Sequence, residues 1–202
     1  KLIISPSLSL ENGVIKAWDK HQSYYYQLLV GLSKHLNFSM KTPWEELDES
    51  FIFTQLRLCL MEEIGRVEGS PQAMDVTSSA CNISGEGQAM IVARERMIVC
   101  GIKLIPLIAE AFGAGEVVLR ESADDGTEAQ PGQPVGTLIG PQAKILLIER
   151  TALNFLQKLC GIATLTKRFV SLIEEHGVGL LDTRKTTPGL RSLEKYATGC
   201  GG

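Results

Sequence analysis

Two adjacent cations, Arg184 and Lys185, lie in "LLDTRKTTPGLR", residues 180–191, where an apolar run gives way to three threonines and a Pro-Gly pair. Arginine offers a planar fork that fits a carboxylate or phosphate through two hydrogen bonds, and lysine adds a mobile point charge. Hydroxyls such as that of Thr183, and the free backbone N–H groups at a helix start, favour the same kind of ligand. The run from Val178 to Leu181 reads as a buried parallel strand, so Asp182 to Thr187 would emerge at its carboxyl end, where ligands bind in α/β sheets and barrels. Pro188 suits the first turn of a following helix, with Thr186 or Thr187 as its cap. A substrate with several anionic groups accounts for this collection; a solvated basic turn is the plainer alternative.

A second candidate sits in "LLIERTALNFLQKL", residues 146–159. On a helix Arg150, Asn154 and Gln157 fall at i, i+4 and i+7, one polar stripe among Ile145, Leu146, Ile148, Leu153, Phe155 and Leu156. An arginine in that company needs a partner, because an unpaired buried charge is costly. Either a ligand anion or an internal carboxylate would serve. Asp75-Val76-Thr77-Ser78 follows the Gly/Ser/Pro-rich "GRVEGSPQA" and reads as a turn entering a strand. The three histidines, His21, His35 and His176, are scattered, without Ser/His/Asp grouping or metal-ligand spacing. No acid/base residue and no metal ligand is assigned.

The elements that would position these groups fall into two unlike pieces. Eight of the twelve aromatics lie in the first 53 residues, and eighteen of the twenty glycines lie after them. In the first piece the spacing of Tyr25, Leu28, Leu29 and Leu32 predicts a helix over about Ser23–Leu36, and Thr42-Pro43-Trp44-Glu45 predicts a second helix start with a capping box. In the second piece "FTQLRLCLMEEIG" predicts a helix with Leu56, Cys59, Leu60 and Ile64 on one face. "GQAMIVARERMIVCG" predicts two strands, Gln88–Ala93 and Met97–Cys100, around Arg94-Glu95-Arg96. A helix closed by Gly113 follows, then turn-punctuated β sequence over 116–140, then two long helices, about Gln142–Lys158 and Ala163–Glu175. The expected order is a compact α+β unit followed by the opening βα step of an α/β domain.

Bulk properties narrow the function classes. At 202 residues, 44% apolar and 21% charged, the chain has a globular composition. A net charge of -3 gives no reason to expect wrapping of a nucleic acid or an anionic membrane. Apolar runs fall far short of the ~20 residues that span a bilayer. Five cysteines without a CxxC pair read as reduced thiols of a cytoplasmic protein. The initial Lys1 and final "CGG" lead to an expectation of further sequence at both ends.

Residues 1–50 resemble a short internal stretch of UvrA, the ATPase subunit of the bacterial excision-repair nuclease, through "SLSLENGVIKAWD", Tyr25, "LSKHLNF" and "TPWEEL". That family's Walker loops and CxxC zinc modules have no counterpart in this chain, so the piece cannot hydrolyse ATP by itself. Over about 53–202, "MDVTSSA", "ARERMIVCG", "ERTALNFLQKLCGIATLTKRFV", "LLDTRKTTPGLRSLEKYA" and "CGG" resemble quinolinate phosphoribosyltransferase, the carboxylating nicotinate-nucleotide pyrophosphorylase of NAD biosynthesis. The resemblance implies a type II phosphoribosyltransferase: an α+β sandwich domain followed by the start of an incomplete α/β barrel, here with a helical amino-terminal appendage. It divides the chain at 1–51, 52–157 and 158–202, and implies a homodimer or higher oligomer.

The implied reaction joins quinolinate to phosphoribosyl pyrophosphate with Mg2+, releasing pyrophosphate and CO2 and giving nicotinate mononucleotide. By resemblance, Thr183, Arg184 and Lys185 hold substrate anions, and Arg150 reaches quinolinate in the partner subunit. Three departures stand out. Thr198-Gly199 replaces a Val-Arg-type pair, "RVEGSPQA" lengthens the approach to Asp75, and the family's next basic motif, a further lysine and the Mg2+ carboxylates would lie beyond Gly202. The 202 residues are therefore expected to be inactive alone and poorly folded at the carboxyl end. A phosphoribosyltransferase of the molybdenum-transport type and a UvrA-derived DNA-repair interaction segment are the alternative readings.

Overall fold

The structure is a computed structural model, and it describes residues 43–64, 78, 80–176 and 179–202. The expected helix over Ser23–Leu36, Thr42, His21, His35 and Asp75–Thr77 lie outside the described residues; Ser78 is described and buried. After a short 3-10 turn, Trp44–Glu46, come helix α1 (Glu49–Ile64), strands β1 (Glu86–Val92) and β2 (Met97–Ile98), helix α2 (Leu104–Ala111), strands β3 (Val118–Arg120), β4 (Glu128–Ala129) and β5 (Pro134–Pro141), and helices α3 (Gln142–Ile173) and α4 (Arg191–Gly201).

The helix expected to start at Pro43 stops after that one turn, because Leu47 is extended and buried. Asp48 begins α1 instead: its Oδ1 accepts the Phe51 N–H at 3.2 Å and its carbonyl accepts Ile52 N–H at 3.0 Å, the N-cap geometry. α1 buries Ile52 and Leu56, with Cys59, Leu60 and Ile64 half-buried along the expected face.

Both sheets are antiparallel. β5 is central in the order β1-β5-β3, with Glu86 opposite Pro141 and Val118 opposite Ile139, and β2 pairs with β4. The two strands flanking Arg94-Glu95-Arg96 therefore do not form a hairpin with each other. Arg96 instead forks onto Glu128 across the β2–β4 pair, Nε to Oε1 at 2.9 Å and Nη2 to Oε2 at 2.8 Å. α2 ends as expected, with Gly113 at φ 63°.

Where two long helices were expected there is one of 32 residues, α3. Glycine inside a helix costs only about 1 kcal/mol against alanine. Gly161 lies between Leu156, Leu159 and Cys160 on one side and Ala163 and Thr166 on the other, all buried on one continuous stripe, and their burial outweighs that cost. The expected strand at 178–181 is absent over the described residues 179–181: a strand exists through its ladder, and neither sheet extends to them. The carboxyl end, expected to be poorly folded, is the packed helix α4, which buries Leu193, Tyr196 and Ala197 against α3.

One core joins these parts. Leu104, Ile105, Ile108 and Phe112 around α2 meet Ile52 and Leu56 of α1, Ile148 and Leu159 of α3, Val99 and Cys100 after β2, and Leu193 of α4. The architecture is mixed helix and antiparallel sheet. Among the described residues no helix is long and apolar enough to cross a membrane.

Candidate functional site

The loop 182–190 is held from three sides. Pro188 and Gly189 occupy the centre of a tight turn in which Leu190 N–H donates to Thr187 O at 3.0 Å and Gly189 has φ 81°. Proline followed by a glycine at positive φ marks a type II turn, which is why Pro188 does not open the helix. α4 starts at Arg191 after Leu190, and no side chain caps it. From α1 the side-chain amide of Gln55 donates to Gly189 O. From α3, Lys158 Nζ donates to Thr187 Oγ1 at 3.1 Å and pairs with Glu194 Oε1 at 3.0 Å. Glu194 Oε2 in turn accepts the Thr187 N–H at 3.2 Å, so α3, the loop and α4 meet in one clasp. Burial alone would raise the Glu194 carboxyl, but the Thr187 and Lys158 hydrogen bonds outweigh it and hold the group below its ordinary range.

At the other end of the loop Lys195 Nζ pairs with Asp182 Oδ2 at 3.2 Å. Thr183 Oγ1 accepts the Lys185 N–H at 3.1 Å, a local turn spanning the two cations. Arg191 Nε reaches Thr186 Oγ1 at 3.4 Å. The neighbouring lysines thus have carboxylates. Among the described residues Arg184 and Lys185 have none, and both are exposed. The loop is a fixed support presenting two uncommitted cations.

Arg150 is not part of that group. Its Nη1 pairs with Glu63 Oε1 of α1 at 2.7 Å, which makes an internal carboxylate its partner in this chain. The polar stripe of Arg150, Asn154 and Gln157 faces solvent, and the Arg150 side chain is 73% exposed. An ion pair that open is worth about 0.2–1 kcal/mol. Lys158, which touches the loop, is two turns further along α3, so Arg150 stands ~12 Å from the clasp along the helix axis. His176 closes a 3-10 turn after α3 and is exposed.

Sequence reading missed the clasp residues Lys158 and Glu194, and also Asp125, whose Oδ1 accepts Ile102 N–H at 3.0 Å and Oδ2 accepts the Tyr196 hydroxyl at 2.8 Å. The only signal at Asp125 was its place in an Asp-Asp-Gly turn. No group of three or more His, Cys, Asp or Glu among the described residues is placed to hold a metal ion.

Residues 75–160 match the family described as quinolinate phosphoribosyl transferase, N-terminal domain, and residues 162–202 match its C-terminal domain. Residues 1–56 match the UvrA DNA-binding domain. The probable nicotinate-nucleotide pyrophosphorylase (carboxylating) of Synechocystis sp. is 34% identical over 160 residues, covering 79% of this chain and 50% of that protein. The Bacillus subtilis protein of the same description is 38% identical over 130 residues, 63% of this chain and 44% of that protein. Among solved structures, the nicotinate-nucleotide pyrophosphorylase from Francisella tularensis superposes with a TM-score of 0.70 at 31% identity, covering 77% of this chain and 52% of that one. NadC from Streptococcus pyogenes gives 0.66 at 32% identity, with 77% and 54% covered. The chain thus spans about half the length of the relatives it matches. The loop that presents Arg184 and Lys185 lies inside the matched C-terminal segment, and over residues 75–202 the chain belongs to the quinolinate phosphoribosyl transferase family.

Proposed function

We propose that residues 52–202 supply the anion-holding part of a phosphoribosyl transfer in which quinolinate and phosphoribosyl pyrophosphate give nicotinate mononucleotide, pyrophosphate and CO2, a step of NAD biosynthesis. The observation that supports this is the pair of exposed cations without carboxylate partners, Arg184 and Lys185, on a loop tied to three helices within the family-matched segment. Both proposed substrates are polyanions, one a dicarboxylate and the other a phosphate with a pyrophosphate. Departure of pyrophosphate leaves positive charge on the ribose, so the protein's work is positioning and electrostatic stabilisation, without an acid/base residue of its own. Thr183 shapes the turn that holds the two cations.

Arg150 belongs to the same proposal through a second copy of the chain: ~12 Å from its own loop along α3, it reaches a neighbouring subunit's quinolinate in a homodimer or higher oligomer. The finer architecture, a sandwich over 52–157 leading into an incomplete barrel from 158, and a cytoplasmic setting are part of this reading. Mg2+ is the implied ion, and the described residues do not fit it, since none of their carboxylates gather into a ligand set. No step is assigned to it.

Saturation-transfer NMR of quinolinate and of phosphoribosyl pyrophosphate with the 202-residue chain tests the proposal. Both ligands should show transfer at low salt, and the Arg184→Ala, Lys185→Ala double variant should lose it while nicotinate mononucleotide production stays absent in every sample. Undiminished transfer in that variant would remove the assignment.

The match of residues 1–56 to a DNA-binding domain favours a second reading, a nucleic-acid contact. Against it, the described part of that segment serves the fold, with Leu47, Ile52 and Leu56 in the core and Trp44 against Tyr196 of α4 at 5.3 Å between ring centroids. Salt-dependent binding of duplex DNA would support the DNA reading.

A further inference from the structure

A second concave site lies away from the loop, where the later half of α3 packs on β2. Thr164, Lys167, Arg168, Ser171 and Leu172 fall at i, i+3, i+4, i+7 and i+8, so they share one face of the helix. The other wall is Met97 and Ile98 of β2 with the Arg96–Glu128 fork, and the space between is a cleft of about 420 Å³. The two walls are joined, since the Ile98 N–H donates to Thr164 Oγ1 at 2.8 Å. With 3.6 residues per turn this face is rotated roughly half a turn from Lys158, so the cleft and the 182–190 loop lie on different sides of α3.

Three cations line the cleft against one carboxylate. Arg96 commits Nε and Nη2 to Glu128, which fixes the guanidinium plane and leaves its other N–H groups available to a ligand. Among the described residues neither Lys167 nor Arg168 has a carboxylate at ion-pair distance, and both are exposed. The remaining surface is apolar: Met97, Ile98 and Leu172, with the aliphatic stems of Lys167 and Arg168. Leu172 is 72% exposed, apolar area that a molecule in the cleft would take out of water. A positive rim beside an apolar wall suits one negative group carried on an apolar body. A carboxylate matches the arginine and lysine donors, and the Met97 thioether favours an aromatic ring.

We propose that this cleft is a binding site for a small aryl monocarboxylate, its carboxylate held between Lys167, Arg168 and the outer edge of Arg96 and its ring lying against Met97 and Leu172. The volume falls within the roughly 300–1,000 Å³ of small-molecule pockets. Inorganic phosphate would leave Met97 and Leu172 in water, a neutral ring would leave Lys167 and Arg168 unpaired, and a second carboxylate on the ring would face the apolar wall or Glu128. The site is independent of the substrate reading of the loop, since it uses none of Arg150, Thr183, Arg184 and Lys185.

The test is methyl NMR of the 202-residue chain, isotope-labelled at its five methionines, with Met97→Leu to assign the cleft resonance. Naphthoate is the probe; its neutral amide and quinolinate are the controls. Naphthoate should shift the Met97 methyl saturably while those of Met61 and Met90 stay in place, and both controls should bind about fivefold more weakly or worse. The Lys167→Ala, Arg168→Ala double variant should weaken naphthoate by about fivefold or more, as should high salt, whereas the Arg184→Ala, Lys185→Ala chain should bind it as wild type does. Leu172→Glu, at an exposed position, provides a second cleft variant that keeps both cations and should weaken binding by a similar factor. An unmoved Met97 methyl, equal shifts with the amide, tighter binding of quinolinate, undiminished binding in a cleft variant or loss of binding in the loop variant would each overturn the proposal. So would a Met97 shift that follows protein dilution without ligand, the sign of a second copy in the cleft.

Discussion

Replacing Lys158 with methionine should loosen the clasp on the 182–190 loop, and the size of the effect follows from the geometry. Lys158 and Glu194 are 3.0 Å apart, with side chains 37% and 13% exposed. A fully exposed pair contributes about 0.2–1 kcal/mol and a hydrogen bond to a buried charge about 1.5–3 kcal/mol. Partial exposure places the coupling of this pair near the boundary, ~1 kcal/mol. The measurement is a double-mutant cycle in urea unfolding at pH 7, with Lys158→Met, Glu194→Gln and both together; glutamine retains an acceptor for the Thr187 N–H and removes only the charge. Raising salt to 1 M, where the screening length is about 3 Å, should reduce the coupling, since Lys158 is the more exposed partner. The pH dependence has a definite sign. A carboxyl held below its unfolded value, about 4.3 for glutamate, contributes stability that is complete above that pH and is lost as pH falls through the folded value. The unfolding curves of the wild-type and Lys158→Met chains should therefore draw together as pH falls through the lowered folded value of Glu194. A coupling under about 0.2 kcal/mol at pH 7, or one unchanged by acid, would show that the contact is geometric only.

Three further outcomes are expected. In a full-length relative, alanine at the positions matching Arg184 or Arg150 should each lower kcat/KM by ~100-fold, ~2.7 kcal/mol, in a steady-state assay with quinolinate and phosphoribosyl pyrophosphate; near-normal turnover would discard the substrate assignment. Gly201→Ala should cost ~2 kcal/mol or more in thermal unfolding, because its Cβ would stand 2.3 Å from Ala163 O and 2.6 Å from Thr166 Cβ, whereas Gly161→Ala, with nothing within 4 Å, should stabilise α3 by up to ~1 kcal/mol. Trp44→Ala should cost about 1–2 kcal/mol by removing the edge-on contact with Tyr196 and the Lys103 ammonium 5.9 Å from its ring, and an unchanged melting temperature would mean that the segment before α1 is not part of the fold.

What could be read from the sequence was local. The apolar spacing of Leu56, Cys59, Leu60 and Ile64 gave α1, Gly113 marked the end of α2, and the adjacent cations at 184 and 185 marked the loop. The misreadings came where local signals compete with distant packing. Gly161 resembles a break until the buried stripe on either side of it is known. The apolar run at 178–181 resembles a strand, but only a neighbouring ladder makes one. Thr186 and Thr187 resemble caps because Pro188 follows them, but the type II turn at Pro188-Gly189 already accounts for the proline. The contacts that hold the loop were out of reach for a simpler reason: Lys158 and Thr187 are 29 positions apart, and Asp125 and Tyr196 are 71. Arg150 shows the converse. A partner follows from the sequence only when the charge is taken to be buried; the side chain is 73% exposed, and its pairing with Glu63 depends on where α1 lies.

The uninterrupted course of α3 has a mechanical consequence. The matches to the family's two domains end at residue 160 and resume at 162, in the middle of this helix. Its 32 residues make a rod ~48 Å long, anchored at one end by β5 and at the other by α4. With no linker to absorb rotation, a tilt of ~5° at the sheet end becomes a displacement of ~4 Å at the far tip, so the two domains share one lever and neither can swing without carrying the other.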